Sequence, residues 1–295
     1  MIALSAFTLA LLSACSAPST PSPAPSTPSS TPSTPSSTPS TPSPAPALAP
    51  SGDAPPTLPG GWLLAWHDEF DGPAGSAPDP ARWDHDTGSG GWGNAELQRY
   101  TADAANARLS TTGTLQIRAL RSTDGWTSAR VTTRSTHLAR YGRFEARLRL
   151  PAGRGLWPAF WLNGLCKAGW PECGEIDVME SLTPLPRTVR ARVHLPGPQA
   201  RGGLGGEWQV RAALDEGFHV YGAVWDPAFV VFTFDGHEYA RIRRDALPRG
   251  TTWQLDHDAY IVLNLAVGGS PVAPPDATTP SPAVLEVDWV REYRR

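Results

Sequence analysis

The chain has 295 residues, twelve of them tryptophan, and a formal net charge of −3. This charge balance offers no basic patch for a phosphate backbone, so nucleic acid is not an expected partner. All charged residues lie in residues 53–295, a length suited to one large all-β domain. Aromatic side chains stack on sugar rings as well as filling cores, so the tryptophan content is compatible with carbohydrate binding.

The N-terminal stretch has the pattern of an export signal. Residues 2–14 are mostly apolar and end in Leu12-Ser13-Ala14, directly before Cys15. This resembles a bacterial lipoprotein signal, in which the cysteine is lipidated, and the apolar part is too short for a membrane-spanning helix. No Lys or Arg precedes it, so an ordinary cleaved signal peptide is the alternative. We expect residues 1–15 to be a signal peptide and the bacterial protein to lie outside the cytoplasm, lipid-anchored at Cys15 or secreted.

Residues 16–56 are almost wholly Ser, Thr, Pro and Ala. This composition cannot form a core and favours extended polyproline II, with a contour of up to ~130 Å. We interpret the segment as a disordered linker that tethers a domain formed by residues 57–295, and a tail without that role is the alternative. A monomer is expected.

Strand signals dominate the domain. Residues 114–119 and 143–150 alternate apolar and polar side chains, as half-buried strands do. Residues 228–234 and 237–242 flank Asp235-Gly236, a typical hairpin turn. The apolar run 259–265 and the segment 284–290, with Leu285, Val287 and Trp289 on one side, complete the pattern. Many strands separated by Gly and Pro turns predict an all-β sandwich.

Residues 175–180 read Glu-Ile-Asp-Val-Met-Glu, three carboxylates in an otherwise apolar segment. Crowding and burial both raise carboxyl pKa values, and such groups are candidates for acid–base or nucleophilic chemistry. Glu175 and Asp177 share one face of a strand, whereas Glu180 would point to the other. A β-bulge around Val178 and Met179 would bring Glu180 to the same face.

The bulge has a chemical consequence. Two carboxyl groups on one strand face would lie roughly 5–5.5 Å apart, as in retaining glycosidases, rather than the roughly 6.5–9.5 Å of inverting ones. The alternative is a helix with a solvated acidic face, but Pro171, Gly174, Pro184 and the β-branched residues argue against it. Upstream, Cys166 and Cys173 would meet oxidising conditions in an exported protein, so we expect them to form a disulfide beside this strand.

Several motifs in order identify a resemblance to glycoside hydrolase family 16, in its bacterial β-1,3-glucanase (laminarinase) branch. The match runs from about residue 62 to 295. It rests on WHDEFDG at 66–72, GWGNAELQ at 91–98, WTSAR at 126–130, YGRFEAR at 141–147, GLWPAFW at 155–161, GEIDVME at 174–180 and LNLAVGG at 263–269.

The resemblance implies a jelly-roll sandwich with a concave substrate cleft and a retaining endo-glycosidase acting on β-1,3-glucan. It implies Glu175 as nucleophile, Asp177 as helper carboxylate and Glu180 as general acid/base. The bulged form of the motif accompanies β-1,3-glucanases and galactan-degrading relatives. The implied cleft residues are Asn94, Glu96, Arg130, Trp157, Trp161, Trp170 and His194.

Two of these cleft residues have structural alternatives: an ion pair for Arg130 and a core position for Trp161. The resemblance further implies a structural calcium ion held by Glu69, the backbone of Gly113 and Asp288, all oxygen ligands, and no cofactor for catalysis.

The sequence departs from the family pattern in a cysteine loop at 163–173 and a Gly- and Pro-rich segment at 195–207. Both are expected to border subsites of the cleft, which leaves chain-length preference and endo or exo action open. Transglycosylation is a further alternative, which depends on the access of water to the acceptor side. Other functions remain as alternatives: the same chemistry on mixed-linkage β-1,3-1,4-glucan or a galactan, or a catalytically silent glucan-binding lipoprotein.

Overall fold

The computed structural model describes residues 57–58, 60–183 and 187–295. The expected signal peptide, the whole of the expected linker and the expected lipidation site at Cys15 lie outside the described residues. Within them, the regular structure is almost entirely β, and two single-turn 3-10 helices cover Gly91–Gly93 and Arg244–Ala246. None of the described helices has the length and apolar character that crossing a bilayer requires.

Eighteen strands make up the described part of the domain. They are β1 (Thr57–Leu58), β2 (Trp62–Asp68), β3 (Asp84–His85), β4 (Gln98–Tyr100), β5 (Ala107–Leu109), β6 (Leu115–Ser122), β7 (Gly125–Ser128), β8 (Arg130–Thr132), β9 (Gly142–Arg149), β10 (Leu156–Gly164), β11 (Glu175–Glu180), β12 (Thr188–His194), β13 (Leu204–Gln209), β14 (His219–Asp226), β15 (Phe229–Phe234), β16 (His237–Arg243), β17 (Ala259–Val267) and β18 (Ala283–Arg294).

These strands form two large sheets. The first follows the order β16-β15-β14-β9-β18-β6-β7-β4, with β1 and β2 added beside β18 and β5 beside β6. The second follows the order β13-β12-β11-β10-β17-β8-β3. Their pairings are antiparallel except for β4 with β7. The strand carrying the three carboxylates therefore lies inside the second sheet, paired on both sides.

One hydrophobic core fills the space between the sheets. The first sheet contributes Phe144 and Leu148, and the second contributes Phe160, Ile176 and Leu263, each nearly or fully buried. Alternate residues of one strand point to opposite faces, so the outer face of the second sheet is left for other side chains. The expected all-β jelly-roll sandwich is confirmed.

The predicted hairpin is confirmed. β15 and β16 pair around Asp235 and Gly236, which have φ values of 47° and 79°. Positive φ at both central residues is the type I′ arrangement that matches the twist of two-residue hairpins.

The prediction that Trp289 lies on the same side of its strand as Leu285 and Val287 is wrong. Leu285 and Val287 are fully buried, but the next buried residue of β18 is Val290, and Trp289 is only half-buried. Opposite β9, the pairing passes from Val287–Leu148 to Trp289–Arg147, which leaves Asp288 as an extra residue. This bulge turns Trp289 away from the core. On the outer side, the guanidinium carbon of Arg291 lies 4.2 Å from the centroid of the Trp289 ring.

Candidate active site

The bulge expected in the carboxylate strand is confirmed by the pairing of β11 with both neighbours. Toward β10, Phe160 pairs with Met179 and the next residue, Trp161, pairs with Asp177, so Val178 is extra. Toward β12, β11 likewise has one residue more than its partner between Asp177 and Glu180. Because both pairings change register at the same place, the irregularity is a backbone bulge and not a frayed strand edge.

The bulge sorts the side chains of β11 between core and cleft. Val178 and Met179 are both fully buried in the core between the sheets. Glu175, Asp177 and Glu180 line a cleft of about 650 Å³ on the outer face of the second sheet. The energetically favourable burial of two adjacent apolar residues therefore fixes the direction of Glu180.

Close packing around Gly174 holds the start of β11 in place. Gly174, directly before Glu175, has a φ of 65°, and a Cβ there would lie 2.4 Å from the Gln254 carbonyl oxygen. Only glycine suits that conformation at that distance. Just upstream, Cys166 and Cys173 form a disulfide, which closes the loop that carries Trp170. Trp170 is 46% exposed and lines the cleft.

Glu180 lies in an environment that favours its protonated form. It is 6% exposed. The Trp157 indole donates a hydrogen bond to its Oε1 at 2.9 Å, and Arg190 Nε lies 3.4 Å from its Oε2. Burial and the negative charge of Asp177 raise the pKa of Glu180 to about 7, although Arg190 and Trp157 act in the opposite direction. A carboxyl with this pKa can hold and release a proton near neutral pH.

Glu175 and Asp177 lie against His194 of β12. One atom of each of the three side chains lies within 4.8 Å of the others. His194 Nε2 is 3.1 Å from Asp177 Oδ2 and 3.9 Å from Glu175 Oε1. Burial, and after it the charge of Asp177, raise the pKa of Glu175 well above its ordinary value, and the positive charges of His194 and Arg130 oppose that rise. The ionised form of Glu175 thus depends on nearby cations.

Arg130 lies between two aromatic rings in the cleft. Its guanidinium carbon is 4.9 Å from the Trp92 centroid and 4.7 Å from the Trp161 centroid. Its Nε also pairs with Asp86 at 3.0 Å. The ion pair anticipated as the alternative for Arg130 is therefore present, and the same side chain lines the cleft. Trp161 is half-buried and donates a hydrogen bond to Asn264 Oδ1 at 2.8 Å.

Asn94 and Glu96 form a polar wall of the cleft. Glu96 accepts hydrogen bonds from Asn94 at 3.2 Å, from Gln98 at 2.7 Å and from the Tyr100 hydroxyl at 3.3 Å. Burial raises the pKa of Glu96 against the effect of these donors. Three convergent donors orient the carboxylate, which can accept hydrogen bonds from sugar hydroxyls.

The structure brings all ten expected catalytic and substrate-binding residues into this one cleft. It adds residues that the sequence analysis did not select: Trp92, Tyr100, Arg190, Arg201 and Asn264. Two signals could have indicated some of them. Asn264 is the single amide in the apolar run of β17, and Arg190 shares the period-two face of His194 on β12.

The expected calcium donors do not form an open ligand set. Both oxygens of Glu69 accept hydrogen bonds from Arg291, at 2.9 and 2.8 Å. Asp288 pairs with Arg147 at 2.5 Å, and Gly113 lies in the turn before β6. Each carboxylate already has an arginine as its cationic partner. Binding of calcium at these residues stays a prediction.

A β-sandwich with a cleft of tryptophans around clustered carboxylates is the architecture of a carbohydrate-active enzyme. The family model described as glycosyl hydrolases family 16 matches residues 94–291. The chain belongs to this family and is a glycoside hydrolase.

Individual relatives agree with this assignment. The chain is 40% identical over 255 residues to a beta-glucanase of Rhodothermus marinus, covering 79% of this chain and 85% of that protein. It is 35% identical over 257 residues to a glucan endo-1,3-beta-glucosidase of Cryptopygus antarcticus, covering 79% and 93%. The catalytic domain of an endo-1,3-beta-glucanase (laminarinase) from Thermotoga petrophila superposes with a TM-score of 0.73 at 36% identity, covering 79% and 98%.

Proposed function

We propose that this protein is a retaining endo-β-1,3-glucanase. The observation that carries the proposal is the bulge of β11, because it places Glu175, Asp177 and Glu180 in one cleft. The relatives named above, which include a glucan endo-1,3-beta-glucosidase and a laminarinase, support β-1,3-glucan as the substrate. Four tryptophans of the cleft offer surfaces on which glucosyl rings can stack: Trp92, Trp157, Trp161 and Trp170.

The first half-reaction forms a covalent intermediate. Glu175, ionised, attacks the anomeric carbon with a carboxylate oxygen, and the bond from that carbon to the glycosidic oxygen breaks. Glu180, protonated, gives its proton to the departing oxygen. The raised pKa of Glu180 suits this role, because the group must still hold its proton near neutral pH.

The second half-reaction returns the enzyme to its starting state. Glu180, now a carboxylate, accepts a proton from water as that water attacks the anomeric carbon and displaces Glu175. Two inversions at the same carbon retain its configuration. Asp177 contributes negative charge that raises the pKa of both glutamates. The three carboxyl groups therefore titrate together, and the apparent pKa values describe the set and not any one residue.

A polysaccharide panel tests the reaction and the substrate together. Laminarin, lichenan and agarose are incubated with the enzyme, and the anomers of the products are followed by NMR with time. We expect fastest release of oligosaccharides from laminarin, with the β-anomer appearing first. Faster action on lichenan or agarose would select the mixed-linkage or galactan alternative, and an initial α-anomer would exclude double displacement.

A matched pair of variants separates an enzyme from a silent binder. Glu175→Gln is expected to lose hydrolysis while still binding laminarin in affinity electrophoresis. Glu172→Gln is the control, because this exposed carboxylate three residues upstream undergoes the same chemical change. Wild-type binding without any product from the panel would favour the silent glucan-binding protein.

Attachment to a membrane through a lipid on Cys15 is part of the same proposal. An anchor followed by the Ser-, Thr- and Pro-rich segment would hold the enzyme near extracellular glucan. Mass spectrometry of the mature N-terminus tests it: a diacylglyceryl adduct on Cys15 supports the anchor, and cleavage without an adduct supports secretion. Size-exclusion chromatography with light scattering tests the expected monomer.

A further inference from the structure

The ring of His194 is held from four sides within the cleft. Its Nδ1 lies 2.6 Å from the Ala200 carbonyl oxygen, and its Nε2 lies 3.1 Å from Asp177 Oδ2. The Trp170 ring centroid is 5.7 Å away. On the remaining side, a Cβ at Gly203 would come within 3.0 Å of His194 Cε1. Such contacts leave the imidazole one orientation.

The two nitrogen contacts define the protonation state of the ring. A carbonyl oxygen only accepts hydrogen bonds, so Nδ1 must carry a proton. A neutral ring would then present the lone pair of Nε2 to a carboxylate, which repels it. Asp177 Oδ2 is buried and has no hydrogen-bond partner among the described residues, although His194 Nε2 lies within ion-pair distance of it. A proton between Nε2 and Oδ2 satisfies both atoms and makes His194 an imidazolium.

The turn after β12 is built to hold the accepting carbonyl. Ala200 N donates to Gly197 O at 3.1 Å, and Gly203 N donates to Gln199 O at 2.8 Å. These bonds close the turn that carries Ala200 O back over His194. This turn lies in residues 195–207, one of the two segments in which the sequence departs from the family pattern, and it supplies a partner for the histidine.

We infer that His194 is a positioning residue, an imidazolium held between Ala200 O and Asp177, whose Nε2–H orients Asp177 and whose positive charge favours the ionised form of Glu175 for attack. When Glu180 holds its proton, Glu175 and Asp177 are two negative charges side by side. His194 is the cation in direct contact with them, since Arg190 pairs with Glu180 and Arg130 with Asp86. The inference rests on the proposed function only for the role of Glu175.

The negative charges of Asp177 and Glu175 favour the protonated form of His194. Burial lowers the pKa of His194, but its hydrogen bond to Asp177, the charges of Asp177 and Glu175 and the bond to Ala200 O raise it to about 9. The titratable and charged groups of the cleft that surround it are Glu175, Asp177 and Glu180 of β11, Arg190 of β12, Arg130 of β8 and Arg201 of the following turn. With this balance, the ring stays protonated through the neutral range.

The kinetic test compares two replacements of His194. His194→Gln keeps an N–H donor but removes the charge, and His194→Arg keeps a charge. We expect the acidic limb of kcat/KM on laminarin to move upward by about 1 pH unit in His194→Gln and to stay near that of the wild type in His194→Arg. A purely structural role would lower kcat/KM equally at all pH values, which would overturn the inference. His219→Gln is the matched control, because His219 pairs with Asp235 at 2.8 Å outside the cleft.

A measurement without substrate separates this inference from the proposed function. NMR of the seven histidine Cε1–H groups identifies His194 as the signal lost in His194→Gln. We expect it to titrate near pH 9 in the wild type and, in Asp177→Asn, nearer the ordinary value of about 6.5. Titration of the wild-type signal at or below about 6.5 would overturn the inference. An enzyme inactive on laminarin whose His194 titrates near pH 9 would instead overturn the proposed substrate alone.

Discussion

The indole of Trp157 and the guanidinium of Arg190 approach different oxygens of Glu180. These two contacts orient the carboxyl and act to lower its pKa. Burial and the charge of Asp177 outweigh them and raise the pKa to about 7. A group that must first donate and later accept the same proton benefits from that intermediate value.

Glu180→Gln tests this role. The amide keeps the shape of the side chain and cannot donate an acidic proton, so kcat on laminarin should fall by about 10²–10⁴-fold. A laminaribioside with a dinitrophenyl leaving group needs no protonation, and its first half-reaction should be nearly unaffected. Burst kinetics measure that step. Equal losses in formation of the intermediate from both substrates would show that Glu180 is not the acid.

Arg190→Met tests the electrostatic coupling. Arg190 lowers the pKa of Glu180, so its removal should raise that pKa. Activity requires protonated Glu180 and is lost as pH rises through its pKa, and the basic limb of kcat/KM should therefore move upward by about 1 pH unit. Arg192→Met is the control, since Arg192 lies on the same strand but pairs with Glu207 at 2.9 Å. An unmoved limb in Arg190→Met would contradict the coupling.

Residue identities predicted the catalytic set but not all of its partners. Glu175, Asp177 and Glu180 lie close together in the chain, so strand geometry was enough to place them. The contacts of His194 with Ala200 and of Arg130 with Asp86 depend on the path of a turn and on the pairing of β3 with β8. Neither periodicity nor composition encodes such distances.

At the level of elements, β11 and β18 show when a bulge can be inferred. In β11, regular alternation would have turned Glu180 to the face opposite Glu175 and Asp177, and a shared chemical role for the three carboxylates indicated the extra residue. In β18, Asp288 precedes Trp289, and both faces were acceptable for a tryptophan. Of these two bulges, the predictable one was that in which a regular strand would separate side chains that act together.

The disulfide between Cys166 and Cys173 is expected to stabilise the fold. Replacing Cys166 and Cys173 together by Ser removes a short cross-link, which should lower the free energy of unfolding by about 2 kcal/mol. Urea denaturation measures this loss. KM for laminarin should rise as well, because the loop carries Trp170 at the cleft.

Trp170→Ala is the comparison for that variant. The side chain is 46% exposed, so its removal should leave the urea midpoint nearly unchanged. KM should rise by about tenfold, equivalent to ~1.4 kcal/mol. If the cysteine variant kept the wild-type KM while Trp170→Ala did not, the cross-link would have no part in holding the ring.

For the whole molecule, residues 57–295 should suffice for activity on a soluble substrate. All cleft residues lie in this part, and Trp62 and Asp68 of β2 contribute buried contacts, including the hydrogen bond from the Trp83 indole to Asp68 at 2.7 Å. A protein starting at residue 57 should keep the Tm and the kcat/KM on laminarin of the longer chain. A protein starting at residue 70 lacks β2 and should unfold at a lower temperature. A large loss of Tm or of kcat/KM in the protein starting at residue 57 would show that the preceding residues support the fold.

The calcium prediction also belongs to the whole molecule. If Glu69, Gly113 and Asp288 hold a calcium ion, EDTA should lower Tm and added Ca²⁺ should restore it, because a ligand that binds only the folded state stabilises it. The pairing of both carboxylates with arginines predicts at most a small effect. A Tm unchanged by EDTA would contradict the predicted calcium site.

The position of β18 has a consequence for how the protein is made. Residues Ala283–Arg294 follow all other strands in the chain, yet they pair with β2, β6 and β9 in the middle of the larger sheet. During synthesis, the earlier strands of that sheet must wait for a partner that leaves the ribosome after them. Such late, long-range pairing slows folding, so the emerging polypeptide should remain open, and accessible to chaperones, until this strand has been translated.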